Sequence, residues 1–129
     1  MATSETPIAH LFVYGTLLSG SEHPMANWLR LHSRLLGPGF FAGWLYDLST
    51  YPGAVLDPLT DAKVHGEVYC VPIPVFESLL QTLDDYEGDE YTRAVVPVQT
   101  ADGPVDCWTY LFNQPTDALP LIRSGRYGK

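Results

Sequence analysis

The sequence predicts an α+β fold, one compact domain in which a twisted mixed or barrel-like sheet is flanked by helices. Six strand-like runs, two stretches of helical periodicity and the lack of a regular strand-helix-strand alternation lead to that class. At 129 residues the chain has the size of a single domain and can bury roughly two-thirds of its unfolded surface. Residues 1–129 are therefore read as one unit, with 1–8 as a short flexible lead.

Leu11-Phe12-Val13-Tyr14 is an apolar and aromatic run stopped by Gly15, the pattern of a buried strand entering a tight loop. Over residues 24–36 the apolar Met25, Trp28, Leu29, Leu31, Leu35 and Leu36 recur near helical spacing, until Gly37-Pro38-Gly39 breaks it. Residues 40–48 are aromatic-rich strand material, and Tyr51-Pro52-Gly53 marks a turn into a short strand at 54–56. Another strand is expected at 64–71. The strongest helix spans 73–84, where Phe76, Leu79, Leu80 and Leu83 fall at i, i+3, i+4 and i+7 and Pro74 suits the first turn; it should end near Gly88. Residues 91–100 and 105–112 then form a predicted hairpin around Asp102-Gly103-Pro104.

Fifteen acidic against seven basic residues give a net charge of −8, which opposes nucleic acid and anionic membrane surfaces as partners. No apolar run approaches the roughly 18 residues of a membrane helix, and residues 1–10 lack the basic and apolar regions of a signal peptide. A cytoplasmic location is expected. Cys70 and Cys107 lie in apolar stretches without nearby histidines and read as small core residues in a reducing compartment. His10, His23, His32 and His65 show no metal-ligand spacing, so neither a metal nor another cofactor is expected. The sequence assigns no oligomeric state.

Two places are candidates for chemistry. In Tyr14-Gly15-Thr16-Leu17 a strand ends on a glycine, which lets successive backbone N–H groups face outward as an anion-binding nest. Taken alone, the four residues read more readily as an ordinary turn. In the segment from Asp84 to Glu90, five of the fifteen acids fall within seven residues at the negative end of a helix. Like-charge crowding, with partial burial against Tyr86 and Tyr91, is expected to raise one carboxyl pKa toward the range useful for proton transfer; a solvated acidic turn is the plainer alternative. Arg93 shares a strand face with Tyr91 and is read as an ion-pair partner for one of these acids, while Glu67 shares a face with His65 and Tyr69 as a secondary candidate.

Taken in order, Val13-Tyr14-Gly15-Thr16-Leu17, Gly43-Trp44-Leu45-Tyr46-Asp47, Tyr51-Pro52-Gly53-Ala54-Val55, Val64-His65-Gly66-Glu67-Val68-Tyr69 and Leu83-Asp84-Asp85-Tyr86-Glu87, with Tyr91 and Arg93, resemble the γ-glutamylcyclotransferase-like family. The likeness runs from about Leu11 to Tyr127 and is strongest toward the short, bacterial and γ-glutamylamine-type branches. It implies a small mixed barrel and release of 5-oxoproline from a small-molecule γ-glutamyl amide. Glu87 would be the general acid/base. Tyr14, Gly15, Thr16 and Leu17 would bind the substrate's α-amino and carboxylate end through their backbone, with Tyr91 beside them. The alternative is a non-catalytic ligand-binding or interaction module on the same scaffold. These readings differ in whether Glu87 and the N–H groups after Tyr14 converge on one cavity.

Overall fold

The structure, a computed structural model, describes residues 8–127. In chain order it contains β1 (Ile8–Val13), α1 (Pro24–His32), β2 (Arg34–Asp47), β3 (Pro52–Leu56), β4 (Lys63–Pro72), α2 (Ile73–Glu87), β5 (Tyr91–Thr100) and β6 (Gly103–Phe112). Of the expected flexible lead, residues 1–7 lie outside the described residues, whereas Ile8 already pairs with Pro72 and opens β1.

Five strands close into a barrel. β2, β4, β1, β6 and β5 follow one another as neighbours, and the pairing of Phe40 on β2 with Gln99 on β5 completes the ring. β3 extends β2 outside it. The pairing of β1 with β6 is parallel and the others are antiparallel, so the barrel is mixed, as the α+β reading expects.

The apolar run in β1 is continuous because both faces of that strand are buried. Phe12 and Tyr14 turn one way, into a cluster with Phe41, Leu45, Val64, Val68, Val96, Val98 and Cys107. Since β2, β4, β5 and β6 also contribute to this cluster, it is the barrel interior. Leu11 and Val13 turn the other way and pack with Leu29 of α1 and Phe76, Leu79, Leu80 and Leu83 of α2. The four α2 residues are those whose spacing predicts the helix.

Of the two helix ends, one differs from expectation and the other meets it. α1 ends at His32, four residues early, because Ser33 adopts an extended conformation and donates its hydroxyl to the Leu29 carbonyl. From Arg34 the chain pairs with β4, and Leu35 and Leu36, which prolonged the helical spacing, are exposed. α2 carries the periodic span 73–84 on to Glu87 and ends at Gly88 as expected, where the chain turns with φ 81°. Only glycine takes such a conformation without strain.

Leu83 is fully buried between α2 and the barrel. Leu83→Ala is expected to lower stability by about 2–5 kcal/mol in urea unfolding, the usual cost of such a truncation; a loss well below that would contradict tight packing at this end of α2.

Candidate active site

A cavity of about 410 Å³ opens at the end of the barrel where β1 stops, β3 and β5 begin and α2 finishes. Tyr14, Gly15, Thr16, Leu17, Glu87 and Tyr91 all line it, so the six residues to which the resemblance assigns binding or catalysis border one space, whereas the secondary candidate Glu67 does not. His23, Pro52, Tyr86 and Tyr110 complete much of the wall.

Glu87 owes its place to helical geometry. It follows Leu83 by four residues and Leu80 by seven, so it continues the apolar stripe of α2 rather than joining the solvent side. Burial pushes its carboxyl up to about 7 from an ordinary value of 4.5. The expected crowding by like charges is not the cause. Asp84 lies over Tyr110, whose hydroxyl it accepts at 2.6 Å, and pairs with Arg93 at 3.7 Å. Glu90 is exposed and accepts from the Tyr51 hydroxyl at 3.2 Å. The acidic segment is thus divided, with Glu87 turned into the cavity.

Opposite Glu87 runs the loop after β1. Its turns close through Leu18 N–H to the Gly15 carbonyl and Ser21 N–H to the Leu18 carbonyl. The N–H groups of Gly15, Thr16 and Leu17 have no acceptor among the described residues. A Cβ on Gly15 would stand 2.8 Å from the Pro52 side chain, so a residue without one is needed for the loop to pass. Glu67 braces the loop from outside, accepting Ser19 N–H at 2.6 Å and the Ser19 hydroxyl at 2.7 Å. With its oxygens engaged in this way, Glu67 is a structural support and not a second acid of this cavity.

The chain is similar to known proteins over most of its length. Residues 11–129 match the model of the family described as gamma-glutamyl cyclotransferase, AIG2-like. The chain belongs to this family. The gamma-glutamylcyclotransferase family protein YtfP of Escherichia coli K12 is 38% identical over 120 residues, which cover 89% of this chain and 92% of that one. The solution structure of the E. coli protein ytfP superimposes with a TM-score of 0.58 at 36% identity, covering 91% of this chain and 94% of that chain. A crystal structure of an AIG2-like protein from Mus musculus superimposes with a TM-score of 0.72 at 26% identity, covering 92% and 88%.

In this gamma-glutamyl cyclotransferase-family chain, phenols set the shape of the cavity. The buried Tyr14 hydroxyl donates to the Tyr110 carbonyl at 2.6 Å and accepts Ala54 N–H at 3.2 Å, tying the end of β1 to β6 and β3. Tyr91 donates to the Pro52 carbonyl at 2.6 Å, so it faces the cavity with its ring while its proton is engaged. Burial first, then the Glu87 charge, raises both phenol pKa values. Both therefore stay neutral around pH 7.

Sequence reasoning did not place His23, Pro52 or Tyr110 in the site. His23 precedes Pro24 as the N-cap of α1, a position legible from the proline, whereas the sequence reading weighed it only as a metal ligand. Among the described residues no group of three or more histidine, cysteine, aspartate or glutamate side chains is placed to hold a metal ion. Cys70 and Cys107 are buried and unbridged, and burial pushes the Cys107 thiol up to about 12, which leaves it unreactive near neutrality. No helix among the described residues is long and apolar enough to cross a membrane.

The Glu87 shift has a thermodynamic sign. Between about 4.5 and about 7 the folded chain holds a proton that the unfolded chain has released, so this group's contribution to stability falls as pH rises through that window. Glu87→Gln, neutral at every pH, is expected to exceed the parent in stability at pH 8 by on the order of 1–3 kcal/mol. The gap should close by about pH 4 in chemical denaturation. A pH-independent difference would show that Glu87 is solvated.

Proposed function

We propose that this chain is an enzyme converting a γ-glutamyl amide to 5-oxoproline and a free amine by intramolecular aminolysis, with Glu87 as general acid/base. One observation carries the reading: Glu87, whose carboxyl is poised near neutrality, lines the same cavity as Gly15, Thr16 and Leu17, whose N–H groups have no acceptor among the described residues. An interaction module would instead need Glu87 to project into solvent.

The substrate's α-amine attacks its own γ-carbonyl carbon; the new C–N bond closes the five-membered lactam, and the bond to the departing nitrogen breaks. Both reactants share one molecule, so holding the folded conformer supplies much of the rate. Glu87 takes a proton from the attacking nitrogen and returns one to the departing nitrogen, ending in the state in which it began. Such a cycle contributes about 10²–10⁴ in rate and works best with a pKa near the operating pH. The loop N–H groups hold the substrate carboxylate or the developing oxyanion. Tyr14 keeps the loop in register, and the Tyr91 ring packs against the glutamyl chain.

An adjoining cavity of about 660 Å³ shares Gly15, Thr16 and His23 with the first and is lined further by His65, Glu67 and Arg126. It offers room for the departing amine. A cytoplasmic location, where both thiols stay reduced, goes with this reading.

The test is a panel of γ-glutamyl amides scored by mass spectrometry for 5-oxoproline. At least one should be turned over, with kcat/KM rising with pH through about 7 as Glu87 ionises. Glu87→Gln should still bind substrate while losing about 10²-fold or more in kcat. Ligand-induced thermal stabilisation without turnover across the panel would make the chain a binding module. Gly15→Ala, whose methyl meets Pro52, should raise KM while leaving the Glu87-dependent pH profile in place.

A further inference from the structure

We propose that His23 and Tyr86 are positioning residues that free the Thr16 hydroxyl proton for an anionic group in the cavity. The inference rests on the reading of this cavity as a γ-glutamyl site and adds to it a side-chain donor with two residues that orient it.

Three consecutive hydrogen bonds carry the argument. Met25 N–H meets His23 Nδ1 at 3.1 Å, His23 Nε2 lies 3.3 Å from the Tyr86 hydroxyl, and that hydroxyl lies 2.6 Å from Thr16 Oγ1. Their direction follows from the first. A backbone N–H can only donate, so Nδ1 must carry a lone pair, and the neutral ring then bears its proton on Nε2. Nε2–H donates to Tyr86. The phenol has a single proton, and we assign it to Thr16 Oγ1, the nearer of its two partners. Thr16 accepts there and keeps its own proton for a partner elsewhere. Thr16 lines the cavity beside the unshared loop N–H groups, so that partner is the ligand.

Residue choice supports the assignment. Serine, threonine, aspartate and asparagine are the usual N-caps, and any of them would satisfy Met25 N–H. Histidine adds a second nitrogen on the far side of its ring, and the ring packs edge-on against Tyr86 with centroids 5.2 Å apart and planes at 70°. The cap and the link to Tyr86 are thus separable. An asparagine at position 23 would keep the first and be too short for the second.

The experiment measures binding of 5-oxoproline and of its carboxamide, by calorimetry, to the parent chain and to His23→Asn, Tyr86→Phe, Thr16→Val and the His23→Asn/Thr16→Val double variant. Thr16→Val should lose about tenfold in affinity for the carboxylate, the scale of one hydrogen bond to a charged group, with little change for the carboxamide. His23→Asn and Tyr86→Phe should each lose about threefold or more for the carboxylate, while His23→Asn keeps the parent's melting temperature because its cap survives. In the Thr16→Val background His23→Asn should cost nothing further, since the group it orients is gone. Equal losses for the two probes, or a His23→Asn effect undiminished in that background, would overturn the proposal. Turnover of the γ-glutamyl amides is scored separately. Turnover by the parent with equal losses for the two probes sinks this inference alone, whereas absence of both turnover and binding sinks it with the reading beneath it.

Discussion

A carboxyl placed on the apolar stripe of a helix must give up water, and the rest of the cavity is arranged around that cost. α2 packs Phe76, Leu79, Leu80 and Leu83 against the outside of the barrel, and the next position on the same stripe is Glu87. Burial makes the charged form expensive and lifts the pKa to about 7. The same packing that stabilises the fold therefore creates the group with chemistry near neutrality. The negative end of the helix dipole lies nearby, and it too disfavours the carboxylate.

That arrangement needs an opposite wall that does not collapse onto it. Tyr14 supplies the hinge-pin, because one buried hydroxyl joins the ends of β1, β6 and β3 through a donated and an accepted bond. The loop then leaves Tyr14 across the Pro52 side chain with no room for a Cβ at Gly15. Glu67 holds the far side of the loop through Ser19. Three elements distant in sequence thus hold the loop of Gly15, Thr16 and Leu17 at the wall of the cavity that Glu87 also lines.

Most of this frame can be read from residue spacing, and the parts that cannot have identifiable causes. The α2 stripe is strong enough to predict its own burial, and Asp102-Gly103 marks the β5–β6 turn as well as any short signal can. Barrel closure is expected from the family resemblance and not from spacing, since the pairing of Phe40 with Gln99 leaves no local trace in the sequence. The end of α1 is misread because Leu35 and Leu36 fit a helical period, while the pairing of β2 with β4 outweighs that local preference. At the site, counting acids between Asp84 and Glu90 points to the right segment with the wrong cause. Extending the helical stripe by one more turn separates Glu87, which follows Leu83 by four, from Asp85 on the solvent side. His23 escapes notice because its partner Tyr86 lies 63 residues away.

A chain of net charge −8 that is to hold a carboxylate-bearing ligand would ordinarily be expected to use an arginine or lysine. Among the described residues, no lysine or arginine lines the cavity with Glu87. A fixed cation there would pull the Glu87 pKa down and remove its ability to exchange a proton near neutrality. Backbone N–H groups and hydroxyls avoid that conflict, because dipoles act strongly on the atom they point at and weakly on a carboxyl across the cavity. The phenols contribute no charge either, since burial keeps Tyr14 and Tyr91 protonated. On the proposed reading, recognition by dipoles and proton transfer by a desolvated acid are thus two sides of one constraint: a cavity that uses Glu87 in this way can select an anion only by means that leave Glu87 unneutralised.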